Sequence, residues 1–281
     1  MATHSRIWIT LLAFLFMALP VAADTLCATI VTDIVEKDKK DKDTEIITID
    51  GDKKVRMELL GTEKKPSDKT PYLLTIDGGN TWVIGNKAEA FCAQMDTGEF
   101  FRYLGSLALK FEGIANLDIT DPQVKKVHEK KGPKILDYPT THVRLVSTAT
   151  GKAAVMFKSY DYKIHITDDI WYTTKLEMHP VRKRWLEALS QSGYKQLDTL
   201  INQWVDNLPG AILKTESVIK VTNVIKNKED ITTEKTQVVT IKKLKPSDIP
   251  KNTFQMPKCK KISKKEMRDT AMKLFEKGKM L

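Results

Sequence analysis

The stretch Pro71-Tyr-Leu-Leu-Thr-Ile-Asp-Gly-Gly-Asn-Thr-Trp-Val-Ile84 sets an apolar run on either side of Asp77-Gly78-Gly79-Asn80. A phosphate-binding glycine loop runs from a strand into a helix whose N-terminus faces the anion. Here Gly79 is followed by Asn-Thr-Trp-Val-Ile, a second strand-forming run, so the tetrapeptide reads as the turn of a hairpin. Thr48-Ile49-Asp50-Gly51 echoes Thr75-Ile76-Asp77-Gly78, and in both turns Asp and Gly supply the positive backbone dihedrals that tight hairpins demand. The flanks then matter more than the glycines. Leu74, Ile76, Trp82 and Ile84 become candidates for the inner wall of an apolar groove.

Strand signals fill the sequence around this hairpin: residues 26–35, 44–49, 53–60, 72–76 and 81–84 are rich in Ile, Val, Thr and aromatics, with turn residues between them. After Gln94 the period changes. Phe100, Phe101, Leu104, Leu107, Ala108 and Phe111 recur at helical spacing, and Asp96 or Thr97 can cap that helix. Strands return over 124–129, 140–147, 154–166 and 170–178, with turns expected at Thr150-Gly151 and Thr167-Asp168-Asp169. Alternation puts Tyr160, Tyr162, Ile164 and Ile166 on one face and Asp161, Lys163 and His165 on the other, the pattern of a half-buried antiparallel strand.

A second long helix is expected from about Val181 to Asn207, with Trp185, Leu186, Leu189, Leu197, Leu200, Ile201 and Trp204 on its apolar side and Gly193 loosening its middle. Two long strands follow over 212–225 and 231–244, and an extended segment ends at Pro257. Ser263-Lys-Lys-Glu266 is a capping box opening a short C-terminal helix. The pattern predicts an α+β fold: a mostly antiparallel sheet covered by two long helices, plus the short C-terminal helix.

Arg6 precedes an apolar run from Ile7 to Leu19, and Pro20 leads into Val21-Ala22-Ala23 before Asp24. This is the pattern of a secretory signal peptide cleaved between Ala23 and Asp24, and the run falls short of the ~20 residues that span a bilayer. The residues before Cys27 do not fit a lipoprotein signal. The expected product is exported to the periplasm or another extracytoplasmic space and soluble after cleavage, with a signal peptide at 1–23, one domain at 24–257 and a Lys-rich tail at 258–281. Cys27, Cys92 and Cys259 allow one disulfide, with all three pairings open.

The formal charge is +10, with lysines concentrated after Pro257. A basic surface outside the cytosol is either simply a solvated, solubilising one or one that meets anionic lipid or polysaccharide, and no nucleic-acid motif is present. No nucleophile, metal set or acid and base pair stands at a recognisable spacing, and the mature histidines (His128, His142, His165, His179) are far apart in the sequence. No enzyme activity, cofactor or metal is expected. A sheet with an aromatic inner face and a helical lid can instead enclose an elongated apolar ligand. The groove candidates are Leu74, Ile76, Trp82, Ile84, Tyr160, Tyr162 and Ile164, and the lid candidates Phe100, Leu104 and Trp204.

The order of elements resembles the LolA-like superfamily of outer-membrane lipoprotein-sorting carriers, and more closely an uncharacterised exported branch of it. The phrases that carry the resemblance are Gly51-Asp-Lys-Lys-Val-Arg-Met-Glu58, Leu74-Thr-Ile-Asp-Gly-Gly-Asn-Thr-Trp82, Asp137-Tyr-Pro-Thr-Thr-His-Val-Arg144 and Ile249-Pro-Lys-Asn-Thr-Phe-Gln-Met-Pro257. It implies a strongly curved, unclosed β half-barrel of about 10–11 strands whose concave side holds acyl chains in the characterised members. The expectation is a non-enzymatic protein that binds a lipid, a lipoprotein acyl chain or another apolar ligand. The alternative is a structural or interaction protein of the envelope that uses the half-barrel as scaffold and its basic C-terminal helix for an anionic membrane surface or an envelope protein.

Overall fold

The computed structural model describes residues 20–21, 25–36, 39–61, 63, 65–86, 91–99, 116–155, 158–191, 193, 195–225, 228–246, 249–258 and 260–261. The expected helix through Phe100 and Leu104, the C-terminal capping-box helix and most of the signal segment, including Ala23 and Asp24, lie outside the described residues.

The strands are β1 (Pro20–Val21), β2 (Thr25–Glu36), β3 (Lys39–Asp50), β4 (Lys54–Gly61), β5 (Tyr72–Thr75), β6 (Thr81–Asn86), β7 (Phe91–Asp96), β8 (Asn116–Lys131), β9 (Thr141–Val155), β10 (Lys158–Thr173), β11 (Glu177–Met178), β12 (Ala211–Ile225), β13 (Lys228–Pro246) and β14 (Lys260–Lys261). Two described helices, α1 (Pro180–Leu189) and α2 (Lys195–Val205), stand between β11 and β12. Twelve strands form one open sheet in the order β14-β7-β6-β5-β4-β3-β2-β13-β12-β10-β9-β8, while β1 and β11 pair separately. Two meanders, β2 to β7 and β8 to β13, meet where β2 lies antiparallel to β13, with Ile30 opposite Ile241.

The expectation of two long helices covering the sheet is overturned. Strand makes up 61% of the chain and helix 14%, so helix is too scarce to form a second layer over twelve strands. The helix expected over Val181 to Asn207 is two, of 10 and 11 residues. Gly193, at φ +88°, takes a left-handed conformation that an α-helix does not accept, and it separates them. The turns expected at Thr150-Gly151 and Thr167-Asp168-Asp169 are also absent: β9 and β10 run straight through them, with Gly151 opposite Tyr162 and Asp169 opposite Arg144.

The Asp77-Gly78-Gly79-Asn80 turn is built as expected, with Gly78 at φ +75° and Gly79 at φ +84°. The Asp77 carboxylate accepts hydrogen bonds from the Thr75 hydroxyl and from the amides of Asn80 and Thr81. Burial would raise this carboxyl, but the bonds from Thr81, Thr75 and Asn80 outweigh it and hold the group below its ordinary range. The echoing turn lies alongside, because the amide of Gly78 donates to the carbonyl of Lys53.

Together the two turns seat α1. His179 caps the helix by accepting from the Val181 amide at Nδ1, and its Nε2 donates to the Gly51 carbonyl. A Cβ on Gly79 would stand 3.1 Å from Val181 Cγ1, so glycine there admits the start of the helix. Farther along α1, Trp185 packs against Trp82 of β6 with ring centroids 4.7 Å apart. α2 is fixed over the other meander, where Gln203 Oε1 accepts from the Val124 amide of β8.

The face beneath these helices holds the main core, which includes Ile30, Ile47, Val55, Trp82, Leu145, Ile170, Leu213 and Ile241. A smaller core of Tyr72, Leu74 and Val83 lies on the opposite face of β5 and β6, packed by Cys92, Phe254 and Met256. The segment that ends at Pro257 is therefore folded back on the sheet, and Arg56 donates to the Thr253 carbonyl to hold it. Cys92 is disulfide-bonded while Cys27 stays a thiol, which removes the two pairings that involve Cys27. At the far edge, β8 carries Lys125, Lys126, Lys130 and Lys131, charges that protect an open strand from pairing with another chain. No helix among the described residues is long and apolar enough to cross a membrane.

Candidate functional site

The groove residues expected from sequence divide into separate environments. Register pairs Leu73 with Ile84 and Leu74 with Val83. Leu74 thus turns away from Trp82 and Ile84 into the small outer core, while those two lie under α1 in the main core. All three are buried, and Ile76, at the start of the turn, is 39% exposed. Tyr160 stands in β10 opposite Ala153 with its side chain outside the described residues. Tyr162 and Ile164 are half-buried. Of the lid candidates, Phe100 and Leu104 lie outside the described residues, and Trp204 is buried on α2.

Among the described residues, a less deeply buried apolar surface lies on the C-terminal meander. β10, β12 and β13 are 16, 15 and 19 residues long, roughly three times the usual strand, and the described helices beside them, α1 and α2, are 10 and 11 residues long. Alternation continues the helix-facing side of β10 through Asp168, Ile166, Ile164 and Tyr162, and that of β12 through Ser217, Ile219 and Val221. Ile166 pairs with Ile219 and Ile164 with Val221, so these side chains form adjacent rungs. All of them are half-buried, against full burial for Ile170, Leu213 and Ile241 nearer the helices.

A polar row separates the sealed core from this less deeply buried surface. Asp168 lies opposite Ser217, and Ser217 opposite Gln237. The Asp168 carboxylate is fully buried and accepts from the Ser217 hydroxyl at 2.6 Å and from the Trp204 indole N–H at 3.3 Å. Burial pushes its pKa up to about 6 against the pull of those two donors. Trp204 thereby pins α2 to the middle of β10. Gln237 Nε2 and Thr215 Oγ1 are buried with no hydrogen-bond partner among the described residues. The same holds for Oε2 of Glu45 on β3, a carboxyl that burial first, and then nearby Asp43, push up to about 8. Buried polar atoms without partners cost about 1–3 kcal/mol each, so a face that keeps several is suited to a ligand that brings its own donors and acceptors.

Asp168, Ser217 and Gln237 are not among the residues that the sequence singles out. Asp168 reads locally as part of a turn, and Ser and Gln carry no pattern until register sets them side by side. An inward-phase Asp in an otherwise apolar alternation was the one available signal. No reactive triad or acid and base pair stands on this face among the described residues. The arrangement can bind and desolvate a chain, with polar groups at one end.

No protein-family model matches the chain. No curated protein matches it either. Among solved structures it is similar to a LolA superfamily protein from Nitrosomonas europaea, at 11% identity and a TM-score of 0.29, over 84% of this chain and 92% of that one. It is similar also to a Vibrio parahaemolyticus domain assigned by name to outer membrane lipoprotein sorting, at 10% identity and a TM-score of 0.30, over 84% of this chain and 91% of that one. A third likeness is to PNGF-II, at 14% identity and a TM-score of 0.35, where this chain spans only 33% of the other while 89% of it is covered. Likeness at this level transfers no activity. LolA superfamily proteins stand among the structural neighbours, at low TM-score and low identity.

Proposed function

We propose that the chain is an exported, non-enzymatic protein that holds the apolar chain of a lipid or lipoprotein on the helix-facing side of β10 and β12. One observation carries the reading: Tyr162, Ile164, Ile166, Ile219 and Val221 form a continuous half-buried apolar surface next to a core sealed by α1 and α2. Each methylene laid on such a surface is worth about 0.8 kcal/mol, so a medium-length acyl chain supplies a useful affinity, and Lys235, buried opposite Ile219, borders the surface. The row of Asp168, Ser217 and Gln237 faces the polar end of the ligand. Signal cleavage between Ala23 and Asp24 removes β1 and leaves β2 as the first strand.

The test is organic extraction of the purified mature protein followed by mass spectrometry of the extract. A co-purifying lipid is expected, and the double variant Ile164→Glu, Ile219→Glu should lose it while keeping the wild-type circular dichroism spectrum. A clean extract, or a lipid retained by that variant, sinks the proposal. The envelope-scaffold reading draws on exposed Lys258 and on Lys260–Lys261, which hold the basic segment at the sheet edge beside β7. It predicts salt-sensitive binding to anionic vesicles that truncation after Pro257 abolishes.

A further inference from the structure

On the opposite face of the same strands, register assembles a cluster that sequence spacing hides. β9 places His142 opposite Trp171 of β10 and Arg144 opposite Asp169, while β8 places His128 opposite Arg144. The ladder shifts between Lys126 and His128, and bulges of this kind re-aim a side chain. As a result, one ligating atom from each of His128, His142 and Asp169 lies within 4.8 Å of the other two.

We propose that His128, His142 and Asp169 bind a single zinc(II) ion on this face of β8, β9 and β10. The donor set is two imidazoles and one carboxylate, which occupy three positions of a tetrahedron and leave the fourth to water. The rings are held in place: His142 is stacked on Trp171 at 4.5 Å with an interplanar angle of 5°, and His128 meets it edge-on at 4.8 Å. His142 Nε2 already stands 2.7 Å from Asp169 Oδ1, so an ion between them requires only a small opening of that contact. His128 Nε2 is buried with no hydrogen-bond partner among the described residues, a vacancy in bonding that a metal would fill.

Arg144 decides the geometry of the carboxylate. Its Nε donates to Asp169 Oδ1 at 2.8 Å and its Nη2 to Oδ2 at 2.7 Å. Outer-shell bonds of this type orient a ligating carboxylate, so Arg144 is a positioning residue. The surroundings also select the ion. Lys130 lies opposite His142, and Lys214, paired with Glu216, sits over Trp171 at 4.6 Å. With one ligating carboxylate among several cations, a hard dication held by charge gains little, whereas a borderline ion held by imidazole nitrogen tolerates the neighbours.

The experiment is calorimetric titration of the tag-free full chain with zinc chloride near neutral pH, in a Cys27→Ser background to remove the competing thiol. Cobalt(II) absorption supplies the coordination number. One equivalent of zinc, tetrahedral cobalt bands and no comparable uptake of magnesium or calcium are expected. His128→Gln and His142→Gln should each abolish stoichiometric binding, and Arg144→Gln should weaken it roughly tenfold or more with its thermal melt recorded alongside. His128→Gln lies on the edge strand and is the variant least able to disturb folding. The proposal is overturned by absence of stoichiometric uptake, by binding that His128→Gln leaves intact in a folded protein, or by magnesium binding equally well. Inorganic phosphate in place of zinc as the only species bound would instead identify an anion site and overturn it too.

Discussion

Replacing Glu45 by Gln tests the polar belt of the core directly. The Glu45 carboxyl is 4% exposed and its pKa is pushed from 4.5 to about 8. Between those two values the folded protein holds a proton that the unfolded chain has released, so wild-type stability falls as pH rises through that window. At about 1.4 kcal/mol per tenfold in proton affinity, the penalty is absent near pH 4.5, reaches about 3 kcal/mol at pH 7 and levels off at about 5 kcal/mol above pH 8. Glutamine does not titrate. Burying its amide costs about 1–3 kcal/mol at every pH, so the informative quantity is the change in the E45Q-minus-wild-type difference rather than its value at one pH. Urea unfolding of both proteins from about pH 5 to about pH 9 should show that difference rising in favour of E45Q and then flattening. A residual fall in E45Q stability between pH 3.8 and about 6 belongs to Asp168, whose pKa is also raised by burial. A difference that stays constant across the range would refute the assignment of Glu45 as a buried, protonated group.

His179→Ala removes both the helix cap and the bond to Gly51, and chemical denaturation should show a loss of about 1–3 kcal/mol. Burial holds His179 below the ordinary imidazole range, so wild-type stability falls as pH drops from 6.5 toward that lowered value, the reverse of the Glu45 trend. Gly78→Ala and Gly79→Ala both force a left-handed residue at about 1–2 kcal/mol, and Gly79→Ala should cost more because it also meets Val181; equal melting temperatures would count against the docking of α1 on that turn. Reduction of the Cys92 disulfide, or Cys92→Ser, should lower stability by about 2–5 kcal/mol, while Cys27→Ser should leave the denaturation midpoint nearly unchanged.

The hairpins were legible because their determinants are local. Asp77, Gly78 and Gly79 state the turn within four residues, and the alternation of Tyr162, Ile164 and Ile166 states the strand. What sequence did not supply is register. Leu74 looked equivalent to Trp82 and Ile84 until the turn length set Leu73, not Leu74, opposite Ile84. Asp168 and Asp169 looked like a turn because two adjacent carboxylates are poor strand formers. In the fold they point to opposite faces, one meeting Ser217 and Trp204, the other Arg144 and His142. Those partners stand between 25 and 49 positions away, and tertiary bonds at that range override local propensity. Gly193 was visible as a weak point in a helix, but its left-handed backbone is what makes the weak point a break.

The junction of β2 with β13 bears on the order in which the chain can assemble. Ile30 and Ile241 face each other across that seam although roughly two hundred residues separate them, and such distant pairing makes folding slow. Each meander can form by itself from neighbouring hairpins, yet both present an unpaired inner edge until the other arrives. For a polypeptide that leaves a ribosome or a translocation channel with its N-terminus first, β2 must therefore wait for nearly the entire chain. During that interval its edge is open to wrong partners, and speed of delivery becomes a condition for correct assembly.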